Sequence, residues 1–236
     1  MPDLSIASFN THYGLRRWPN PPRTPYDLEA ALRDLDADVL VIQEYWRPDG
    51  TWGAHDDAAA ALGLDVHYEL TGIATGKSHW PGIRSKGEAT IGIAVLTRLP
   101  TRRIGSIQLG PTPGDPAPAR TALHVEIDVD GSPLQLVAVH LSSRLPQAPV
   151  IQLRRLARQA PRTGPAVIAG DCNFWGPGVR TFLPGWRRAV RGRTWPAGHP
   201  HSQIDHILVR DLTSTAGHVL PDVGSDHRPI RADLSW

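Results

Sequence analysis

The sequence has almost no thiol and almost no lysine. One cysteine, Cys172, excludes an intrachain disulfide and a cysteine-built zinc site. Lys77 and Lys86 are the only lysines among 25 basic side chains, so the positive charge is nearly all arginine. Arginine favours bidentate contact with phosphate, although the Arg/Ala/Pro bias of a GC-rich genome produces the same excess. A net charge of +2 is too small for a dedicated nucleic-acid coat, yet it admits polyanionic substrates. No apolar run approaches the roughly 20 residues of a membrane span. Met1-Pro2-Asp3 leads straight into "LSIASF" with no basic segment and apolar stretch of a leader, so the expected compartment is the cytoplasm. Repeats and low-complexity segments are also missing.

What is present suffices for a core. The 236 residues are 40% hydrophobic, which suits one α/β domain over 1–236 with no dividing linker. Strands are expected at 4–10, 37–44, 90–98, 102–109, 165–171, 203–211 and 229–236. Asp130-Gly131 marks a hairpin within 120–141. Helices are expected at 26–35, started near Thr24 or Pro25, at 56–64 and at 149–160, with a short one in "GVRTFL". Residues 65–90 have weak strand character, and 184–203 read as an irregular loop. The pattern predicts two stacked sheets flanked by helices.

The chemistry collects at strand ends. "AVIAGDCNFWG" (166–176) drives a buried strand into Asp171 and Asn173 side by side. Asn10, Glu44, His140, Asp205 and the pair Asp226-His227 stand at equivalent edges of other apolar runs. Such ends face loops that hold ligands. Taken singly, each has an ordinary reading: Asp171 a cap or turn, Glu44 a solvated edge charge, His140 a satisfied core histidine. Together they supply oxygen ligands for a hard cation, a base for water and donors for a phosphate. Cys172 should face away from Asp171, and His206 away from Asp205. Trp46, Trp175 and Trp195 lie near these positions and suit either loop packing or stacking on bases.

Six segments in order, "SFNTH", "VIQE", "VAVHLSS", "IAGDCN", "QIDHILV" and "GSDHRPI", resemble the endonuclease/exonuclease/phosphatase superfamily over nearly the whole chain. The resemblance implies a deoxyribonuclease-like α/β fold, with two mixed β-sheets in a four-layer sandwich. It also implies divalent-metal-dependent phosphoester hydrolysis using one or two Mg²⁺ or Mn²⁺ ions. By the same resemblance Glu44 binds metal, with Asn10 and Asp226 beside it, and Asp171 orients or deprotonates water. Asn173 contacts phosphate, and Asp205 pairs with His227, which contacts the scissile phosphate. His140 resembles the histidine of the deoxyribonuclease, sphingomyelinase and 5-phosphatase branches rather than the apurinic-site endonucleases. Glu88 resembles an acidic partner of His140, and Arg120 an arginine near the site.

Three functions compete. A phosphodiesterase on nucleic acid is favoured by the arginines, the tryptophans and "AVHLSS". A phosphatase or phosphodiesterase on an inositol phosphate or sphingomyelin is weakened by "NFWGP", which lacks the arginine expected after the asparagine. A catalytically dead binding module is weakened because every expected polar position is filled. Specificity is expected in loops 11–25, 71–88, 110–119 and 184–202.

Overall fold

The computed structural model describes residues 3–16, 24–74, 88–115 and 118–236. The specificity loops 11–25, 71–88 and 110–119 therefore lie partly outside the described residues. Among the described residues no helix is long and apolar enough to cross a membrane.

The chain builds two six-stranded mixed sheets. The first contains β1 (Asp3–Asn10), β2 (Val39–Arg47), β3 (Asp65–Ala74) and β4 (Ala89–Thr97), which begin the chain. The second contains β5 (Thr101–Gly110), β6 (Arg120–Val129), β7 (Ser132–His140), β8 (Ala166–Asp171), β9 (Arg187–Arg188) and β10 (Asp205–Arg210). β11 (Thr213–Val219) and β12 (Ile230–Ser235) then return to the first. The strand orders are β11-β12-β1-β2-β4-β3 and β5-β6-β7-β8-β10-β9. Each sheet holds one parallel pair, β1 with β2 and β7 with β8, and its other pairs are antiparallel.

Each parallel pair needs a crossover. α1 (Leu28–Asp34) carries the chain from β1 to β2, and α3 (Ala148–Gln159) carries it from β7 to β8. α1 starts at Asp27, whose carboxylate accepts from the Ala30 N–H at 2.9 Å, rather than at Thr24 or Pro25. With α2 (Ala54–Ala61), α1 covers the outer face of the first sheet through Leu28, Leu32, Ala58 and strand residues Phe9, Leu40 and Ile42. α3, helped by α4 (Val179–Phe182), covers the second sheet through Leu153, Leu156, Val139 and Ile168.

Between the sheets lies a third core, in which Ile6, Val39, Val41 and Ile230 meet Leu136, Ala138, Val167, Ala169 and Ile207. The result is the expected four-layer sandwich. Two strands escaped the sequence reading, β9 and β11. β11 is an edge strand reading TSTAGHV, half-exposed along its length, with no buried apolar row to betray it.

Candidate active site

Strand alternation carries the polar residues to one seam. In β7, Leu134, Leu136 and Ala138 face the inter-sheet core, so His140, two residues further on, faces it too. Val167 and Ala169 lead to Asp171 in the same way, and Ile207 and Val209 lead back to Asp205. The register then sets three side chains abreast: His140 opposes Asp171, and Asp171 opposes Asp205. From the facing sheet, Ile6 leads through Ser8 to Asn10. Cys172 and His206 fall on the outer side, as alternation requires; Cys172 is wholly buried there and the His206 Nε2 hydrogen-bonds the Phe174 carbonyl at 2.9 Å.

Glu44 arrives differently. The β2–β4 register slips between Gln43 and Tyr45, so Glu44 is the extra residue of a β-bulge, with φ +56. The bulge sends Tyr45 to the helix-covered face and brings Glu44 within 4.0 Å of His140 Nε2 across the seam. Asn173 (φ +44), His12 (φ +48) and Tyr13 (φ +62) share this left-handed backbone. Strained backbone of this kind persists where the surroundings fix it, and here it collects around one site.

Asp171, 1% exposed, is the hub. Its Oδ2 accepts from Asn10 Nδ2 and from Asn173 Nδ2, both at 3.2 Å, and its Oδ1 accepts from the Asn173 backbone N–H at 2.8 Å. Two imidazoles flank the same Oδ2, His140 Nε2 at 3.7 Å and His227 Nε2 at 3.8 Å. These gaps exceed hydrogen-bond length, which leaves both ring edges available to a third group. The other Asn173 amide contact is to the Leu141 carbonyl at 2.9 Å.

His227 is anchored from behind. Its Nδ1 lies 2.9 Å and 3.1 Å from the two Asp205 oxygens. Ser225 Oγ donates to the Asn10 carbonyl at 2.6 Å and accepts from the His227 N–H at 3.2 Å, which ties the loop before β12 to the end of β1. Ser225 was not singled out from sequence; its only signal was its place inside "GSDHRPI". Tyr26, whose hydroxyl donates to the Thr11 carbonyl at 2.8 Å, gave no sequence signal at all.

Burial sets the charges. Burial and then Asp226, against the pull of His227, push Glu44 up to about 8. Burial pushes Asp171 up to about 7, opposed by His227. Burial disfavours the charged form of His227, but Asp205, Asp171 and Asp226 outweigh it and hold the ring up at about 10. Burial, with Arg120 and His227, drives His140 well below its usual value. The site thus pairs a cationic imidazole with a neutral one around a carboxylate poised near neutrality.

Among the remaining candidates, Arg120 at the start of β6 feels the attraction of Glu44 and Asp171, and its buried Nε has no hydrogen-bond partner. Glu88 is exposed, and among the described residues no contact joins it to His140, whose carboxylate neighbours are Glu44 and Asp171. Trp46 packs edge-on against Tyr13, whereas Trp175 is 60% exposed. A cavity of about 800 Å³, lined by Arg16, His199, Asp222 and Ser225, opens beside the seam.

The donor set fits a hard cation at Glu44. Its Oε2 is buried without a partner and Asp226 offers further oxygens nearby, whereas Asn10 turns its amide N–H groups to Asp171 and Glu44 and its Oδ1 to the His12 N–H. Asp171, Asp205 and His227 also converge, with ligand atoms within 4.8 Å of one another. There the imidazole already holds a proton between carboxylates, so that trio is better suited to keep a charge than to bind a metal.

Known structures share this architecture. An endonuclease/exonuclease/phosphatase from Beutenbergia cavernae superposes with TM-score 0.75 at 25% identity, covering 99% of this chain and 72% of that one. The mannosyl-6-phosphatase Bt3783 of Bacteroides thetaiotaomicron gives TM-score 0.67 at 16% identity, covering 99% and 100%. TDP2 of D. rerio, complexed with single-strand DNA product, gives 0.64 at 17%, covering 99% of each chain. The Escherichia coli K12 protein YbhP is 26% identical across 98% of this chain and 96% of its own length. The family model described as Endonuclease/Exonuclease/phosphatase family matches residues 7–227, a span holding every residue of the seam, and the chain belongs to that family of phosphoester hydrolases.

Proposed function

We propose that the chain is a divalent-metal-dependent phosphodiesterase that hydrolyses phosphoester bonds in nucleic acid, working as one domain with its site at the inter-sheet seam. The observation that carries this reading is the surroundings of Asp171 Oδ2. Two imidazole edges stand 3.7 and 3.8 Å away, and Glu44 brings Oε1 to 4.0 Å from the His140 edge while its Oε2 has no partner. These are the parts an in-line displacement at phosphorus needs.

Glu44 with Asp226 would hold Mg²⁺ or Mn²⁺, with Asn10 beside them as a donor to Glu44, and the ion would supply positive charge against the phosphate and the leaving oxygen. Asp171 takes the proton of the attacking water. His227, kept charged by Asp205, donates from Nε2 to a phosphate oxygen, and neutral His140 donates to another. Asn173 has its amide directed at Asp171 and Leu141, which makes it the residue that fixes the base rather than a free phosphate donor.

A second reading has one observation in its favour. Arg120 brings a guanidinium with a buried free Nε into the site, a cation suited to the extra charge of a terminal phosphate. The test is hydrolysis of bis-p-nitrophenyl phosphate, p-nitrophenyl phosphate, plasmid DNA and single-stranded RNA with Mg²⁺, Mn²⁺ or EDTA. Metal-dependent cleavage of the diester and of nucleic acid is expected. Release from the monoester alone selects the phosphatase reading.

Metal binding should displace the Glu44 proton. Calorimetric Mn²⁺ affinity is therefore expected to rise about tenfold per pH unit below about 8 and to level off above it. Glu44→Gln should weaken binding at least about tenfold and flatten that dependence. An unchanged affinity in this variant would place the cation elsewhere.

A further inference from the structure

The far edge of the second sheet holds a group of charges that the seam does not use. Arg180 of α4, Arg187 and Arg188 of β9, and Arg191 surround a cavity of about 500 Å³. Some arginines elsewhere are neutralised, Arg47 by Asp56, Arg103 by Glu69, and Arg231 by Asp36 and Asp233, while others such as Arg155 and Arg210 bond only carbonyls but stand apart from one another. Among the described residues none of the four around the cavity meets a carboxylate. Arg187 donates to the Leu212 carbonyl and Arg188 to the Gln203 side chain, both uncharged acceptors. Arg188 Nε is buried with no partner. Its burial, then Arg191 and Arg180, depress its proton affinity. Four like charges around one hollow, one with an orphaned donor, are an arrangement that a bound anion would relieve at once.

Position gives the cluster its meaning. Arg188 opposes Leu208 in the β9–β10 register, three residues along β10 from Asp205. At about 3.3 Å per residue the arginines begin about 10 Å from the seam. At about 3.4 Å per stacked nucleotide that is about three nucleotides of one strand. Trp175 is tied to the arginines through its neighbour: the Gly176 N–H donates to the Gln203 carbonyl at 2.8 Å, and the Gln203 side chain takes the hydrogen bond of Arg188, while the indole stacks on Phe174 with centroids 6.3 Å apart and is 60% exposed. An exposed indole beside a cationic hollow is how proteins hold single strands, base on ring and phosphate on guanidinium.

We infer that Arg180, Arg187, Arg188 and Arg191 form a phosphate-binding site for a single nucleic-acid strand leaving the seam, with Trp175 as the stacking platform between the two. This rests on the nucleic-acid reading above and deepens it. It assigns the strand a direction across the protein and extends the footprint beyond the scissile phosphate.

The test separates the two readings. Binding of a short fluorescein-labelled oligothymidylate is followed by anisotropy in EDTA across a KCl series, and bis-p-nitrophenyl phosphate hydrolysis is followed with Mn²⁺. Arg180→Gln/Arg191→Gln is expected to bind the oligonucleotide at least about tenfold more weakly. Its salt slope should be smaller by about 1.4, at about 0.7 per lost contact to a single strand. Bis-p-nitrophenyl phosphate turnover should stay within about twofold of wild type, since that diester is too small to reach the arginines. Trp175→Ala is expected to lose affinity with its salt slope unchanged. Wild-type affinity and slope in the double variant overturn the inference. A wild type that binds the oligonucleotide through these arginines but never cleaves the diester leaves it standing and overturns the catalytic reading instead.

Discussion

Asp171→Asn is expected to lower kcat on bis-p-nitrophenyl phosphate by at least about a hundredfold, and up to about ten-thousandfold, the range for a lost general base. The size follows from its position. Among the described residues Asp171 is the one carboxylate within 4.0 Å of both imidazoles, and three N–H groups aim it. Asparagine places an amide where Asn10 and Asn173 both donate, so thermal melting must accompany the rate measurement to show a folded variant. The pH profile gives a second readout. With Asp171 as base, kcat/KM rises with pH through its deprotonation, at or below about 7 because a bound cation favours the carboxylate. It falls again as His227 loses its proton near 10. The lower limb should vanish in the variant. Near-normal turnover by a folded Asp171→Asn protein would remove Asp171 from the chemistry.

Gly170→Ala is expected to destabilise the fold by about 3 kcal/mol or more, among the larger costs of a single methyl. Gly170 has φ +143, in the region that side chains avoid, and a Cβ there would lie 1.9 Å from the Val139 carbonyl oxygen. Val139 is its partner in the parallel β7–β8 ladder, so relief requires the two central strands to part. The same ladder sets His140 against Asp171, and activity should fall with stability. The measurement is the urea midpoint, with the slope checked for constancy. A midpoint within error of wild type would show that the strands can separate at no cost.

Much of this site was legible because sheets obey a period of two. Once "VAVH", "IAGD" and "QIDHI" are read as strands, His140, Asp171 and Asp205 share a face, and Cys172 and His206 take the other. Glu44 is the exception. Alternation from Val39 and Val41 sends it toward the helices, and only the bulge returns it to the seam. No pattern in "VIQEYW" announces an extra residue; the resemblance found Glu44 where periodicity could not. Arg120 and Glu88 carried no decisive signal as sequence, one opening a strand and the other standing just before one. Three dimensions bring Arg120 among the carboxylates and leave Glu88 in solvent. The arginine hollow was equally hidden, because it joins α4, β9 and β11, and the last two lack buried apolar rows.

The second sheet is drawn from one uninterrupted run, β5 to β10, while the first is assembled from the strands on both sides of it. Asp171 and Asp205 therefore stand on a sheet whose strands are contiguous in the chain, whereas Asn10 and His227 come from the segments on either side of it. The first sheet must wait for β12 to reach back and pair with β1, a closure between Asp3 and Ser235. Until that closure forms, Asp171 has no His227 at its side. Strand order alone thus makes the assembled seam depend on the longest-range pairing in the chain, that of β1 with β12.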